Sequence, residues 1–312
     1  MWRAYSAYQI APTGMAYLNH GDDMNLLKSI FISNYMMALM AVAGYAGWML
    51  AQGGNAVAWG GVLLTAVPLL AVISWLMMIK NVARTSAHFP FLNFLAAVGV
   101  GLAAWAWPMQ EADGIAAVVA AASWLGFLLY AYWFSTFGGR RPSPRLRAGA
   151  ALPPFALRKA DGSLVSAAQL TDKPAILIFF RGNWCPLCMA QIKELAARYR
   201  ELDGLGIRVA LISPQPHDHT VALAKRYDVN FEFLTDTDNA AARALGIENV
   251  NGTPMGMQMF GYANDTVLPT VVITGRDGKV LWTHETDNYR IRPEPDVYLD
   301  VLRRHQLIPL PV

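Results

Sequence analysis

Charged side chains are nearly missing from one third of this 312-residue chain, and cysteine is nearly missing from all of it. Residues 29–137 carry only Lys80, Arg84, Glu111 and Asp113, whereas residues 138–312 carry 39 of the 47 charges. The chain as a whole is 15% charged, against about 25% in typical soluble domains. That unevenness excludes a single homogeneous globule, and the 54% hydrophobic content excludes intrinsic disorder. Two cysteines, Cys185 and Cys188, are too few for a disulfide-stapled secreted scaffold. Basic excess is also local. Residues 151–312 hold 17 Lys/Arg against 18 Asp/Glu, while Arg140, Arg141, Arg145 and Arg147 crowd a short joint. The net charge of +3 therefore reads as a membrane-flanking feature, and no nucleic-acid partner is expected.

Four apolar runs are present: Ser29–Leu50, Val57–Ile79, Phe89–Pro108 and Ile115–Phe137. Each lacks Asp, Glu, Lys and Arg, and each is long enough to cross about 30 Å of hydrocarbon at about 1.5 Å per residue. A four-helix transmembrane bundle is the expectation, with the lipid bilayer as partner. Arg3, Lys28, Lys80, Arg84 and the four joint arginines fall on one side, and the turns at Gln52–Ala56 and Gln110–Gly114 contain no basic residue. The positive-inside rule then places both termini, and the C-terminal half, in the cytoplasm. Ala43-xxx-Gly47 and Ala97-xxx-Gly101 are small-residue pairs suited to close helix packing. Trp105, Trp107, Trp124, Tyr130, Tyr132 and Trp133 fit interfacial anchoring. Arg84 and His88 share a loop that reads as a topology signal, or as a contact for an anionic lipid or quinone headgroup. No cysteine lies in this half, so the bundle itself cannot relay dithiols.

The expected segments are an N-terminal cytoplasmic stretch (1–28), the bundle (29–137), a basic linker (138–151) and a soluble domain (152–312). In the last, Ala175–Phe180 is a continuous apolar run suited to a central strand, followed by helical spacing over 186–203. Ile207–Ser213 is a second buried strand. Helices are expected at His219–Tyr227, Asn239–Leu245 and Pro295–His305, and a hairpin at Thr270–Thr274 and Lys279–His284. Alternation of this kind gives an α/β fold with a mixed sheet.

Chemistry concentrates at Arg181-Gly-Asn-Trp-Cys-Pro-Leu-Cys188. Pro186 suits a first helical turn, which puts Cys185 at a helix N-terminus where an anion is favoured. Cys185 is then the nucleophilic thiolate, and Cys188, one turn on, the resolving thiol. A CxxC is also half of a zinc site, but no second pair exists. No cofactor and no metal are assigned. Met255, Met257 and Met259 alternate in a loop that fits a Cu(I) site, a half-buried loop, or contact with a bilayer or client. His217 and His219 read as helix-start polarity.

These residues carry a resemblance. Leu152–Leu307 resembles the alkyl hydroperoxide reductase/thiol-specific antioxidant group, in its peroxiredoxin-like branch with RGxWCPxC. The matching positions are Asp161-Gly162, Arg181–Cys188, Ile212-Ser213-Pro214, Leu234-Thr235-Asp236, Pro269-Thr270 and Asp277-Gly278-Lys279-Val280. The resemblance implies a thioredoxin-like fold, a cis-proline at Leu268-Pro269 facing the cysteines, and Trp184 shielding them. Where the family carries its peroxide-orienting Thr, Pro and Arg, this chain has Gly182, Ile178 and Leu268. Arg181 is the substitute cation. The first expectation is a membrane-anchored thiol–disulfide oxidoreductase acting on a protein or small-molecule disulfide and recharged by a cellular thiol reductant. The alternatives are a thiol peroxidase acting on hydroperoxides and a copper chaperone.

Overall fold

A computed structural model describes residues 20–108, 114–227 and 229–309. Arg3, residues 110–113 and Val312 lie outside it. Four helices come first: α1 (His20–Ala51), α2 (Ala56–Ile79), α3 (Pro90–Ala106) and α4 (Ile115–Leu129), the last continued by a π turn over Tyr130–Phe134. Three of these stretches, Asp23–Ala51, Ala56–Ile79 and Ile115–Phe134, are long and apolar enough to cross a membrane. The third run is shorter than its sequence promises. Phe89 takes a left-handed conformation (φ +44°) before Pro90, and Trp107 leads into a turn, leaving 17 helical residues.

Packing within the helices also differs from the small-residue pattern. Gly47 and Gly101 have open space where a Cβ would stand. The close approach is instead between α2 and α3, where a Cβ on Gly61 or Gly99 would lie 2.5 Å from the other's carbonyl oxygen. Helix α1 begins nine residues before the expected Ser29, because its first turns have polar work: Asn25 and Ser29 donate to the carbonyls of Val250 and Thr253.

The C-terminal part is a mixed α/β fold. Its elements are β1 (Ala156–Lys159), β2 (Leu164–Ser166), α5 (Ala167–Leu170), β3 (Ala175–Phe179), α6 (Pro186–Ala197), α7 (Tyr199–Gly204) and β4 (Arg208–Ser213). There follow α8 (His217–Arg226), β5 (Glu232–Thr235), α9 (Ala240–Leu245), β6 (Glu248–Asn249), β7 (Thr266–Val267), β8 (Thr270–Thr274), β9 (Val280–Glu285) and α10 (Pro295–Arg304). Seven strands form one sheet in the order β2-β1-β5-β4-β3-β8-β9. β3 pairs parallel with β4 and antiparallel with β8, Ile178 facing Leu211 and Val271. All five residues of β3 and of β8 are buried, as an apolar strand covered on both faces requires. The single helix expected over 186–203 breaks at Arg198 (φ −96°, ψ 9°) into α6 and α7.

The two parts share a core. Leu76 of α2 belongs to the same buried cluster as Ile178, Phe180, Cys185, Cys188 and Leu187, with Ile73, Phe134 and Phe137 packed against it. The joint itself lies along the α/β part. Leu146 is buried, Ser143 Oγ donates to the Leu245 carbonyl, and Arg140 donates to the Pro269 and Thr286 carbonyls and pairs with Glu285 at 3.4 Å.

Candidate active site

Strand β3 delivers the chain to Arg181, and a sharp turn then aims the cysteines. Gly182 takes φ +145°, and a Cβ there would meet the Trp184 Nε1 at 2.7 Å, so the turn admits only glycine. Asn183 N–H donates to Gln215 Oε1, and Cys185 N–H to the Gly182 carbonyl, which fixes the approach to α6. Cys185 is the N-cap, Pro186 the first helical residue, and Cys188 sits one turn in, as the spacing requires. Both thiols are free and buried, with 2% and 0% of their surfaces exposed.

Arg292 is the residue that the linear pattern does not reveal. Its Nη2 lies 3.3 Å from Cys188 Sγ and 4.0 Å from Cys185 Sγ. Its Nη1 donates to Gln191 Oε1 (2.7 Å), its Nε donates to the Tyr289 carbonyl, and Gln191 Nε2 donates to the Tyr298 hydroxyl (2.9 Å). The guanidinium is therefore held by two protein acceptors and aimed at sulfur. Arg181 is the second buried cation. It stacks 4.6 Å above the Trp184 ring and 5.4 Å from that of Tyr289, and its Nη2 donates to the Gly252 carbonyl.

These cations decide where the negative charge sits. Burial opposes ionisation of Cys188, but the hydrogen bond from Cys185, Arg292, the Arg181 backbone N–H and the Arg181 charge overcome it and bring the thiol to about 5. Cys185 is held up by its hydrogen bond to Cys188, by burial and by the neighbouring negative charge. Cys185 makes no side-chain capping bond at the helix N-terminus, and Arg292 lies nearer Cys188 than Cys185.

Pro269 comes to the site, lining a small cavity with Gln191, His284 and Arg292. Its peptide bond is trans, contrary to the expected cis-proline; no cis bond occurs among the described residues. The extended trans chain runs from β7 into β8, pinned by Leu268 N–H to the Ile247 carbonyl and by Arg140 on the Pro269 carbonyl. Trp184 packs, partly buried, against the cluster that contains both cysteines. Ile178 is an interior β3 residue and Leu268 packs against the cluster that holds Leu177 and Phe179, and the cation beside the thiols is Arg292. His217 and His219 bond Thr235 Oγ1 and the Tyr262 hydroxyl, and among the described residues no group of three His, Cys, Asp or Glu is placed to hold a metal.

The site also touches the helical part. A turn closed by Ile291 N–H on the Asn288 carbonyl sends Arg290 away from the thiols, and Arg292 back to them. Arg290, 1% exposed, donates to the carbonyls of Ser86 (2.6 Å), Ala87 (2.7 Å) and Ala131 (2.9 Å), 4.3 Å from the Phe89 ring. The Tyr289 and Tyr130 hydroxyls lie 3.2 Å apart, so Tyr130 is a docking contact and not an interfacial anchor. Arg84 pairs with Glu194 of α6 at 2.6 Å and donates to the Arg292 carbonyl, which gives the Arg84–His88 loop a role its polarity alone did not reveal.

Part of the chain is similar to known proteins. Residues 148–283 match the AhpC/TSA family. Chloroplastic peroxiredoxin Q of Sedum lineare is 27% identical over 113 residues, covering 36% of this chain and 61% of that protein. Its counterpart from Triticum aestivum is 29% identical over 132 residues, covering 38% and 61%. The chain thus spans about six-tenths of the length of these relatives. Among solved structures, the peroxidoxin BcpB of Mycobacterium tuberculosis aligns with 51% of this chain and 97% of its own, at 20% identity and a TM-score of 0.42.

Proposed function

We propose, on the premise that the C-terminal part of this chain is a peroxiredoxin-like domain of the AhpC/TSA family, that it is a membrane-anchored thiol–disulfide oxidoreductase. The carrying observation is the Cys185–Cys188 pair, one helical turn apart under one guanidinium. Cys185 attacks a substrate disulfide while the Cys188 thiolate takes its proton. One substrate thiolate leaves, and Cys188 then attacks Cys185 to expel the other, releasing the proton. The net change is one disulfide reduced and the Cys185–Cys188 disulfide formed, which a cellular thiol reductant reopens. Arg292, Arg181, Trp184 and Pro269 shape this site. With Cys185 and Cys188 2% and 0% exposed, a disulfide substrate reaches them only when the site opens, and a protein client requires the domain to lift from the helices.

A thiol peroxidase is the second reading, favoured by the two buried arginines at the thiols and by the names of the relatives. Against it, the position expected for an orienting hydroxyl is Gly182, where a side chain meets Trp184. The helical part, in our reading, crosses the bilayer four times (29–137), α3 included, with the joint (138–151) and redox domain (152–312) on the cytoplasmic side. Turnover of the full chain in nanodiscs with a small disulfide and with a hydroperoxide separates the two. Exchange predicts disulfide turnover that Cys185→Ser abolishes, and peroxide consumption no faster than free cysteine. Full disulfide turnover in Cys185→Ser overturns it.

A further inference from the structure

The methionine loop is not used by the redox site, and its placement along α1 is unusual. Asn25 Nδ2 donates to the Val250 carbonyl, Ser29 Oγ to the Thr253 carbonyl, and Ser33 Oγ to the Met255 carbonyl (2.7 Å). Met255 N–H returns a bond to the Ser29 carbonyl. Residues 250–255 therefore run down α1 for about two turns, one contact per turn.

The depth of that descent can be read from Lys28. Its Nζ donates to the Thr136 carbonyl just beyond α4's π turn and lies 5.7 Å from the Trp133 ring, the pairing of cation and tryptophan that marks a membrane–water boundary. Ser33 is five residues further along α1, so the Met255 carbonyl lies about 7.5 Å past that boundary level. An amphipathic element held at about 5–10 Å reaches the headgroup–acyl border.

The loop's polar side chains bond within the loop while staying at its surface: Gln258 Oε1 accepts from Gly256 N–H, Gln258 Nε2 donates to Asn264 Oδ1, and Thr253 N–H bonds the Asn264 carbonyl. Gly256 (φ +96°) and Gly261 (φ +83°) bracket the single turn Met257–Phe260. Outward stand Met259 (85% exposed), Phe260 (64%) and Met255 (44%). They continue the apolar surface that α1 exposes at Ile30 and Met37. A groove of about 220 Å³ between helix and loop is lined by the apolar Leu26, Ile30 and Met255 and by five polar residues. Exposed apolar patches of this kind mark interaction sites.

We propose that residues 255–260 form an interfacial membrane anchor, inserting Met259 and Phe260 among lipid acyl chains beside α1. The occupant is the bilayer, because the loop is bonded to a membrane helix at acyl depth and extends that helix's lipid-facing surface. This rests on the reading of the helices as membrane-spanning. Its effect is a second fixed point, which sets the tilt of the redox domain on the bilayer.

The test uses the full chain in phosphatidylcholine nanodiscs with photoreactive benzoylphenylalanine at one of three exposed positions: Phe260, Met40 of α1, or Leu164 of the β1–β2 hairpin. Roughly tenfold more lipid adduct at 40 and at 260 than at 164, read by mass spectrometry, is the expected result. Adducts at 40 but not at 260 overturn the anchor and leave the spanning helices standing. Adducts at neither position overturn both. Labelling of a second copy of the chain from position 260, or labelling at 164 equal to that at 260, also overturns the anchor.

Discussion

Arg292 sets the chemistry of the dithiol, so its removal has a signed consequence. Arg292→Met keeps much of the bulk and removes the charge 3.3 Å from Cys188. The thiolate titration of the reduced full chain, followed by ultraviolet absorbance, should move up from about 5 toward the ordinary 9.0. Once that midpoint lies above pH 6, disulfide exchange measured there should fall roughly threefold for every further pH unit it climbs, the loss of thiolate being partly offset by its greater nucleophilicity. Linkage gives a second readout. Cys188, lowered by folding, contributes stability that is present above 9 and lost as pH falls toward 5; Cys185, raised by folding, contributes stability that is lost as pH rises above 9. The reduced protein should therefore melt highest near pH 9, and Cys188→Ser should flatten the slope between 5 and 9. Gly182→Ala forces a Cβ to within 2.7 Å of Trp184 at φ +145° and should cost about 1–3 kcal/mol in thermal unfolding. Legibility at this scale follows separation along the chain. Cys185, Cys188 and Pro186 act through local helix geometry and were plain. Arg292 reaches Cys188 across 104 residues, and Gln191 and Tyr298 reach each other across 107, a tertiary contact that no periodicity reports.

Elements fared unevenly for the same reason. The apolar strands β3, β4 and β8 and the apolar helices carry their own periodicity and were readable. What escaped was how the two parts meet: the early start of α1, the break at Arg198, and the 287–292 segment, whose Tyr289 N–H bonds the Ser135 carbonyl while Phe137 N–H bonds that of Asp287. Arg290 is the latch of that meeting. Arg290→Ala removes the donor from three carbonyls, of which the buried one of Ala131 is left unsatisfied at about 1–3 kcal/mol. Docking is then weakened, and the thiols, sealed in the native chain, should react at least several-fold faster with a bulky charged maleimide, while a small uncharged maleimide gains less. Equal rates in the variant and the native chain would show that Arg290 does not hold the domains together.

At the scale of the whole molecule, a charge-poor helical part and a near-neutral redox part share one hydrophobic core, with the dithiol at their junction. That placement explains why so much basic charge sits between them. Arg84 clamps the cysteine helix through Glu194, and Arg140 pins the Pro269 carbonyl. The orientation that follows from the basic loops predicts that an export-dependent reporter fused after Pro309 stays silent, whereas one in the Gln52–Ala56 turn is active. The dithiol couple is the centre of the account, and its most direct test is stoichiometric. The reduced full chain in nanodiscs is mixed with a small disulfide, and released thiol is counted against the mass of the peptide spanning Cys185 and Cys188. Two thiols released per chain and a loss of two hydrogens confined to that peptide are expected, and neither in Cys185→Ser. Release of one thiol with a lasting mixed disulfide, or no release at all, would contradict it.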